Sequence, residues 1–187
     1  TGVQTCALPI SHSRPRSAWR RLDTDILTWQ ATLAPDAQFL RDLGEVRLAI
    51  EPTAAGFAAV RATHAEIRAI EACLELRRQA SAEPYLGTLI DLDMAFQMSV
   101  VEASHNGLLS HLCASIRGPF RVALSVALQC ASSVRLSLEA HDVLVASLRR
   151  RDPLGARRAA EEVVGLAMLA IESSLSGPPG RGKRKDE

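Results

Sequence analysis

RDLGEVRLAIEPTAAGFAAVRATHAE, Arg41 to Glu66, decides the fold class. Taken back to Asp36, it spaces Leu40, Leu43, Ile50, Ala54 and Phe57 at steps of three, four and seven residues, which share one face of an α-helix but would scatter over both faces of a strand. A helix over about 36–62 follows. Pro52 has no amide hydrogen and crowds the preceding turn, so it is expected to kink or divide that helix. Thr63 and Glu66 then stand at capping-box spacing, T-H-A-E, and open a second helix to about Ala80.

The same grammar continues outward. Pro84 suits the first turn of a third helix, which reaches about Ser104 before Asn106 and Gly107 interrupt it. A fourth helix is predicted over about 108–129, bending near Gly118 and Pro119. A fifth spans about 132–150, and Asp152-Pro153 supplies an N-cap and a first-turn proline for a sixth that ends near Leu175. No β-period segment or internal repeat shows after residue 36, so the chain is predicted to be all-α, an antiparallel bundle of six or seven helices.

Composition agrees with that class and narrows the function. The 187 residues are 47% hydrophobic and 23% charged, enough apolar mass for one buried core. Formal charge is +1, but the basic residues crowd the ends, with Arg14, Arg16, Arg20 and Arg21 at one and Arg181, Lys183, Arg184 and Lys185 at the other. Residues 22 to 180 hold 14 basic against 19 acidic side chains, a balance of −5 that would repel a phosphate backbone. No apolar run approaches the roughly 20 residues of a membrane span, so no membrane partner is expected. Cys6, Cys73, Cys113 and Cys130 show no paired spacing; the last three sit among apolar helical residues and read as reduced core cysteines, consistent with a cytoplasmic protein.

The two ends are read apart from the bundle. TGVQTCALPI, Thr1 to Ile10, resembles the translated end of a sequencing adapter and is set aside; it implies a true chain that begins further upstream. Residues 11–35 read as the remnant of a strand and a linker, 36–175 as the helical domain, and 176–187 as a disordered basic tail.

Three polar residues fall where apolar ones belong. The third helix aligns Leu86, Ile90, Asp93, Gln97 and Val100 on one stripe, and the fifth aligns Val134, Leu138, His141, Val145 and Leu148. Asp93, Gln97 and His141 therefore point inward, where a lone carboxylate is costly. Arg47 shares the Leu40, Leu43, Ala54 side of the first helix and suits a buried acid or an anionic ligand. Each alone is readable as a satisfied core group; together they suggest a small-molecule pocket. His64 reads as a solvated first-turn residue, His105 and His111 as surface positions, and Asn106 as a brace for its helix junction.

Four strings carry a resemblance. WRRLDTDILTW, Trp19 to Trp29, resembles the linker after the winged helix of GntR transcriptional regulators of the FadR subfamily, especially sugar-acid repressors of the galactonate type. Arg41 to Thr63 resembles the first helices of their C-terminal ligand-binding (FCD) domain, DLDMAFQMSVVEASHNGLL (Asp91 to Leu109) its D-x-x-F-H segment, and HDVLVASLRRRDPLGARRAA (His141 to Ala160) its last two helices. The resemblance spans about residues 12–175. It implies a dimeric domain that binds a small carboxylate effector, with DNA reached only through an N-terminal winged helix that this chain lacks. HSRPRSA, residues 12–18, would then end the wing.

In many members an Asp and three His bind a divalent metal such as Zn, Ni or Mn. By that resemblance Asp93 and His141 keep two ligand positions, while Gln97 and Val163 replace the other two histidines. No stable metal is expected; a hydrogen-bonded Asp93, Gln97, His141 cluster is expected in its place, facing an organic effector with Arg47. Two other readings remain open. One is a dimerisation bundle with a closed core. The other is an enzyme using Asp93, His141 and Arg47, for which no nucleophile with an elbow or oxyanion motif is evident, Ser104 and Ser110 included.

Overall fold

The computed structural model describes residues 36–82 and 85–176, and the expectations for the adapter-like segment, the wing and linker remnant, Pro84 and the basic tail fall outside those residues. The described residues form seven helices and no strand: α1 (Ala37–Arg61), α2 (His64–Ala80), α3 (Leu86–Glu102), α4 (Gly107–Ser115), α5 (Arg117–Ala127), α6 (Ala131–Arg149) and α7 (Pro153–Ser176).

The caps at Thr63 and Asp152 are those the sequence announces, and Asp36 and Asn106 add two more. Asp36 accepts from the Phe39 amide at 2.6 Å. Thr63 and Glu66 close the capping box, with Glu66 N–H donating to Thr63 Oγ1 at 3.2 Å and Thr63 N–H to Glu66 Oε2 at 2.6 Å. Asn106 caps α4 by accepting from the amides of Leu108 and Leu109. Asp152 takes the Gly155 amide at 2.9 Å, with Pro153 first in α7. Between α6 and α7 the chain turns through Arg151 at φ 57°, and its guanidinium donates to the Ala62 carbonyl just past the end of α1.

Of the outcomes expected at Pro52 the division is absent, and the fourth predicted helix is not one piece. Pro52 does not divide α1, which runs unbroken for 25 residues. Pro52 cannot donate to the Leu48 carbonyl, and the flanking Ala54, Ala55, Ala58 and Ala59, all fully buried, hold the helix against its neighbours. Conversely, the segment predicted as one helix over 108–129 is two. The break comes at Ile116, with φ −97° and ψ 7°, ahead of Pro119, which occupies the first turn of α5 where no intrahelical donor is lost. Ile116 is buried with Leu40, Leu43 and Ile171, so packing places the break there.

Helix α1 packs along α7, α6 packs on α7 and touches α1, and α2 packs on both α3 and α6. A Cβ at Gly56 would lie 2.5 Å from Arg157 Nε, so a larger residue there would push that α7 side chain aside. The main core joins Phe96, Leu89 and Met94 of α3 to Ile70 and Leu74 of α2, Leu144 and Leu148 of α6 and Ala156 of α7. The cysteines divide: Cys113 is buried, Cys73 is half-buried, and Cys130 is exposed just before α6, which corrects the reading of all three as core residues. A break between α5 and α6 at residues 128–130 leaves Cys130 outside the packed face.

Candidate functional site

The largest side chain with no exposure at all is charged: Arg77, in the last turn of α2. It lies on the buried stripe Ile67, Ile70, Leu74, Arg77, whose three- and four-residue steps aim it between α3 and α6. Its Nε sits 2.8 Å from Asp93 Oδ1, and its Nη2 donates to Ser137 Oγ at 3.0 Å. The Nε–H is not directed along the line to the carboxylate. Arg77 Nε, Arg77 Nη1 and Asp93 Oδ1 are therefore in charge contact or buried without a hydrogen-bond partner.

The three residues singled out in α3 and α6 do converge here. Asp93 is 2%, Gln97 5% and His141 0% exposed. His141 Nδ1 meets the Ser137 carbonyl one turn back in α6, which fixes its proton there and leaves Nε2 to accept from the Gln97 amide at 3.0 Å. Asp93 Oδ1 lies 4.0 Å from Nε2, and the Phe96 ring meets the imidazole edge-on at 4.6 Å. Burial pushes the imidazole down to about 4; Asp93 pulls the other way and Arg77 reinforces the shift. His141 is neutral at physiological pH.

Arg47 belongs to a second buried pair. Its Nε donates to Glu51 Oε1 at 2.6 Å and its Nη2 to Oε2 at 3.3 Å, one turn apart on α1, and its guanidinium lies 3.8 Å from the centre of the Phe120 ring on α5. The charge of Glu51 reaches Cys113 on α4, whose thiol is pushed up to about 11 mainly by burial and then by Glu51. Arg47 and Asp93 meet across a small cavity of about 20 Å³ that Ser137 and Val163 also line. Gln97 and His141 do not line it; they stand behind Asp93. A larger external groove of about 390 Å³ between the α5–α6 junction and α7 shares Ala127, Ser133, Leu166 and Ala170 with the cavity wall.

This donor set does not fit a divalent ion. Asp93 faces a guanidinium, whose charge would repel a second cation at the same carboxylate. His141 Nε2 is engaged by Gln97, and Val163 offers no donor. Among the described residues no three His, Cys, Asp or Glu side chains cluster closely enough to hold a metal. His64, His105 and His111 are all exposed, His105 resting 3.1 Å from Glu66.

The helical fold is shared with known proteins. The FCD domain family matches residues 42–165, two thirds of the sequence.

The chain belongs to the FCD domain family.

This FCD domain is homologous to GntR-family transcriptional regulators. It is 28% identical over 149 residues to the galactonate operon transcriptional repressor of Escherichia coli K12, covering 78% of this chain and 63% of that protein. It is 33% identical over 88 residues to the Uxu operon transcriptional regulator of the same organism, covering 44% of this chain and 34% of the other. Among solved structures, a Streptococcus agalactiae GntR superposes with TM-score 0.64 at 23% identity, over 74% of this chain and 62% of that one. E. coli McbR/YncC superposes with TM-score 0.69 at 17% identity, over 75% and 67%. These likenesses carry the all-α fold. The chain spans 63% of the length of the galactonate repressor, so the remainder of that protein has no counterpart in the match.

Proposed function

We propose that this FCD domain is the effector-sensing part of a transcriptional regulator and that a small carboxylate binds in its interior at Arg47, without a metal ion. The observation that carries the reading is a guanidinium, 2% exposed, lining an internal cavity next to Asp93. A buried arginine is the usual means of recognising a carboxylate through two parallel hydrogen bonds. The Arg77–Asp93 contact supplies inside the bundle the positive charge that a metal would otherwise bring, and the Gln97–His141 pair braces it. The names of the relatives make sugar acids, galactonate first, the compounds to try.

The cavity as it stands holds about one water molecule. An effector of several heavy atoms therefore enters only as α7 parts from the α5–α6 junction, along the wall that cavity and groove share. Binding and helix displacement are then the same event, and the open arrangement is the state that the effector selects. In the intact regulator, acting as a cytoplasmic homodimer, that displacement would alter how a DNA-binding domain is presented to its operator.

Calorimetric titration with galactonate and related sugar acids tests this. Saturable binding that leaves the compound unchanged, abolished by Arg47→Met, is expected. Turnover would indicate an enzyme, and no binding by any carboxylate would leave a purely structural bundle. Elemental analysis of the purified protein finding one equivalent of Zn, Ni or Mn would overturn the metal-free reading.

A further inference from the structure

The two buried ion pairs differ in what holds them. Arg77 and Asp93 join α2 to α3, so parting them means parting helices. Arg47 and Glu51 lie one turn apart on the same helix, α1, so the pair itself ties no two helices together. Arg47 is anchored independently of its partner, by the Phe120 ring and the cavity wall. Glu51 is not: among the described residues its carboxylate accepts only from Arg47, and at 7% exposure it stands nearer solvent than Arg47 at 2%. The next residue, Pro52, removes one helix hydrogen bond beside it.

Charge balance makes the difference matter. Arg47 and Arg77 are offset by Glu51 and Asp93, and His141 is neutral, so the interior sums to zero. A carboxylate arriving beside Arg47 with Glu51 in place would leave a net negative charge buried, which is costly. A carboxylate arriving in place of Glu51 leaves the sum unchanged.

We infer that Glu51 is an internal stand-in for the effector's carboxylate: it occupies the Nε–Nη2 edge of Arg47 in the empty domain and is displaced by the ligand. This rests on the reading that Arg47 receives a carboxylate. It makes Glu51 the residue that sets the sensing threshold, since apparent affinity falls by the fraction of molecules in which the edge is free. It also selects for ligands that present two coplanar oxygens, because only these restore both hydrogen bonds lost on displacement.

Two measurements test it, using formate as the smallest carboxylate and galactonate as the larger one. Glu51→Ala should gain several degrees of thermal midpoint in formate at tens of millimolar, against chloride at matched ionic strength. Wild type should not, nor should the Arg47→Met, Glu51→Ala double variant. No gain in Glu51→Ala, or the same gain in the double variant, overturns the inference. Glu51→Gln keeps the shape of the side chain and guards against loss of folding. It should bind galactonate about tenfold more tightly or better. Equal affinity in Glu51→Gln and wild type refutes displacement while the sensor reading stands. Formate rescue of Glu51→Ala with no galactonate binding by either protein supports the exchange at Arg47 and counts against galactonate as the effector.

Discussion

Replacing Arg77 by Met is the most informative single change outside the Arg47 pair. Methionine fills much of the same volume, so packing is largely kept and the charge is removed. What remains is the carboxylate of Asp93, 2% exposed, whose nearest other basic group is a neutral imidazole 4.0 Å away. Breaking a buried pair in this way costs about 3–5 kcal/mol, because one charge stays behind without a counter-charge. Against a total stability of about 5–15 kcal/mol that is a large fraction. For a domain of this size it corresponds to a fall in Tm of roughly 6–20 °C. Removing both partners in Arg77→Met, Asp93→Leu should recover most of the loss, since an apolar pair of similar volume is often as stable as the ions it replaces. Urea denaturation followed by circular dichroism at constant m-value measures all three proteins. A cost below about 1 kcal/mol for Arg77→Met, or a double variant whose cost is the sum of the singles, would refute the assignment of a coupled charge pair.

Other outcomes follow from the same geometry. The His141 imidazole, held near 4 against an ordinary 6.5, must stay neutral in the folded state; its contribution is complete above about pH 6.5 and is lost as pH falls toward 4, on the order of 3 kcal/mol, and His141→Gln should flatten that part of the stability profile. Thr63→Ala removes the capping box of α2 and should lower stability by about 1 kcal/mol in the same denaturation assay. Glu66, held down to about 2 first by the Thr63 amide, should keep that cap intact until the pH drops through the range from 4.5 to 2, visible as late loss of the local amide-exchange protection. Gln97→His with Val163→His should take up no zinc while Arg77 is present and about one equivalent once Arg77→Gln is added; uptake with Arg77 in place would show that the guanidinium does not exclude a cation.

How much of this was legible in the sequence depends on the scale of the signal. Period, caps and turn residues located the helix starts near 36, 64, 107 and 153 to within a few positions, because Asp36, Thr63, Asn106 and Asp152 act through neighbours three residues away. The break at Ile116 was not legible, since it is decided by contacts with Leu40, Leu43 and Ile171, distant in sequence. Inward aim of Asp93, Gln97, His141 and Arg47 followed from helical spacing, and the structure brings the first three together. Their decisive partner, Arg77, was missed although it continues the stripe Ile67, Ile70, Leu74 at the right interval. Next to Arg78 near the end of a helix it reads as one of two solvated cations, and only the fold separates them: Arg77 is fully buried, whereas Arg78 is exposed and pairs with Asp142. Glu51 was hidden for the same reason, a charged residue one turn from another charged residue.

The cavity between Arg47 and Asp93 is smaller than anything it would recognise. For a sensor this sets a clock as well as a threshold. If the effector enters as proposed, by α7 parting from its neighbours, the observed binding rate should level off at high concentration at a value that belongs to the protein alone.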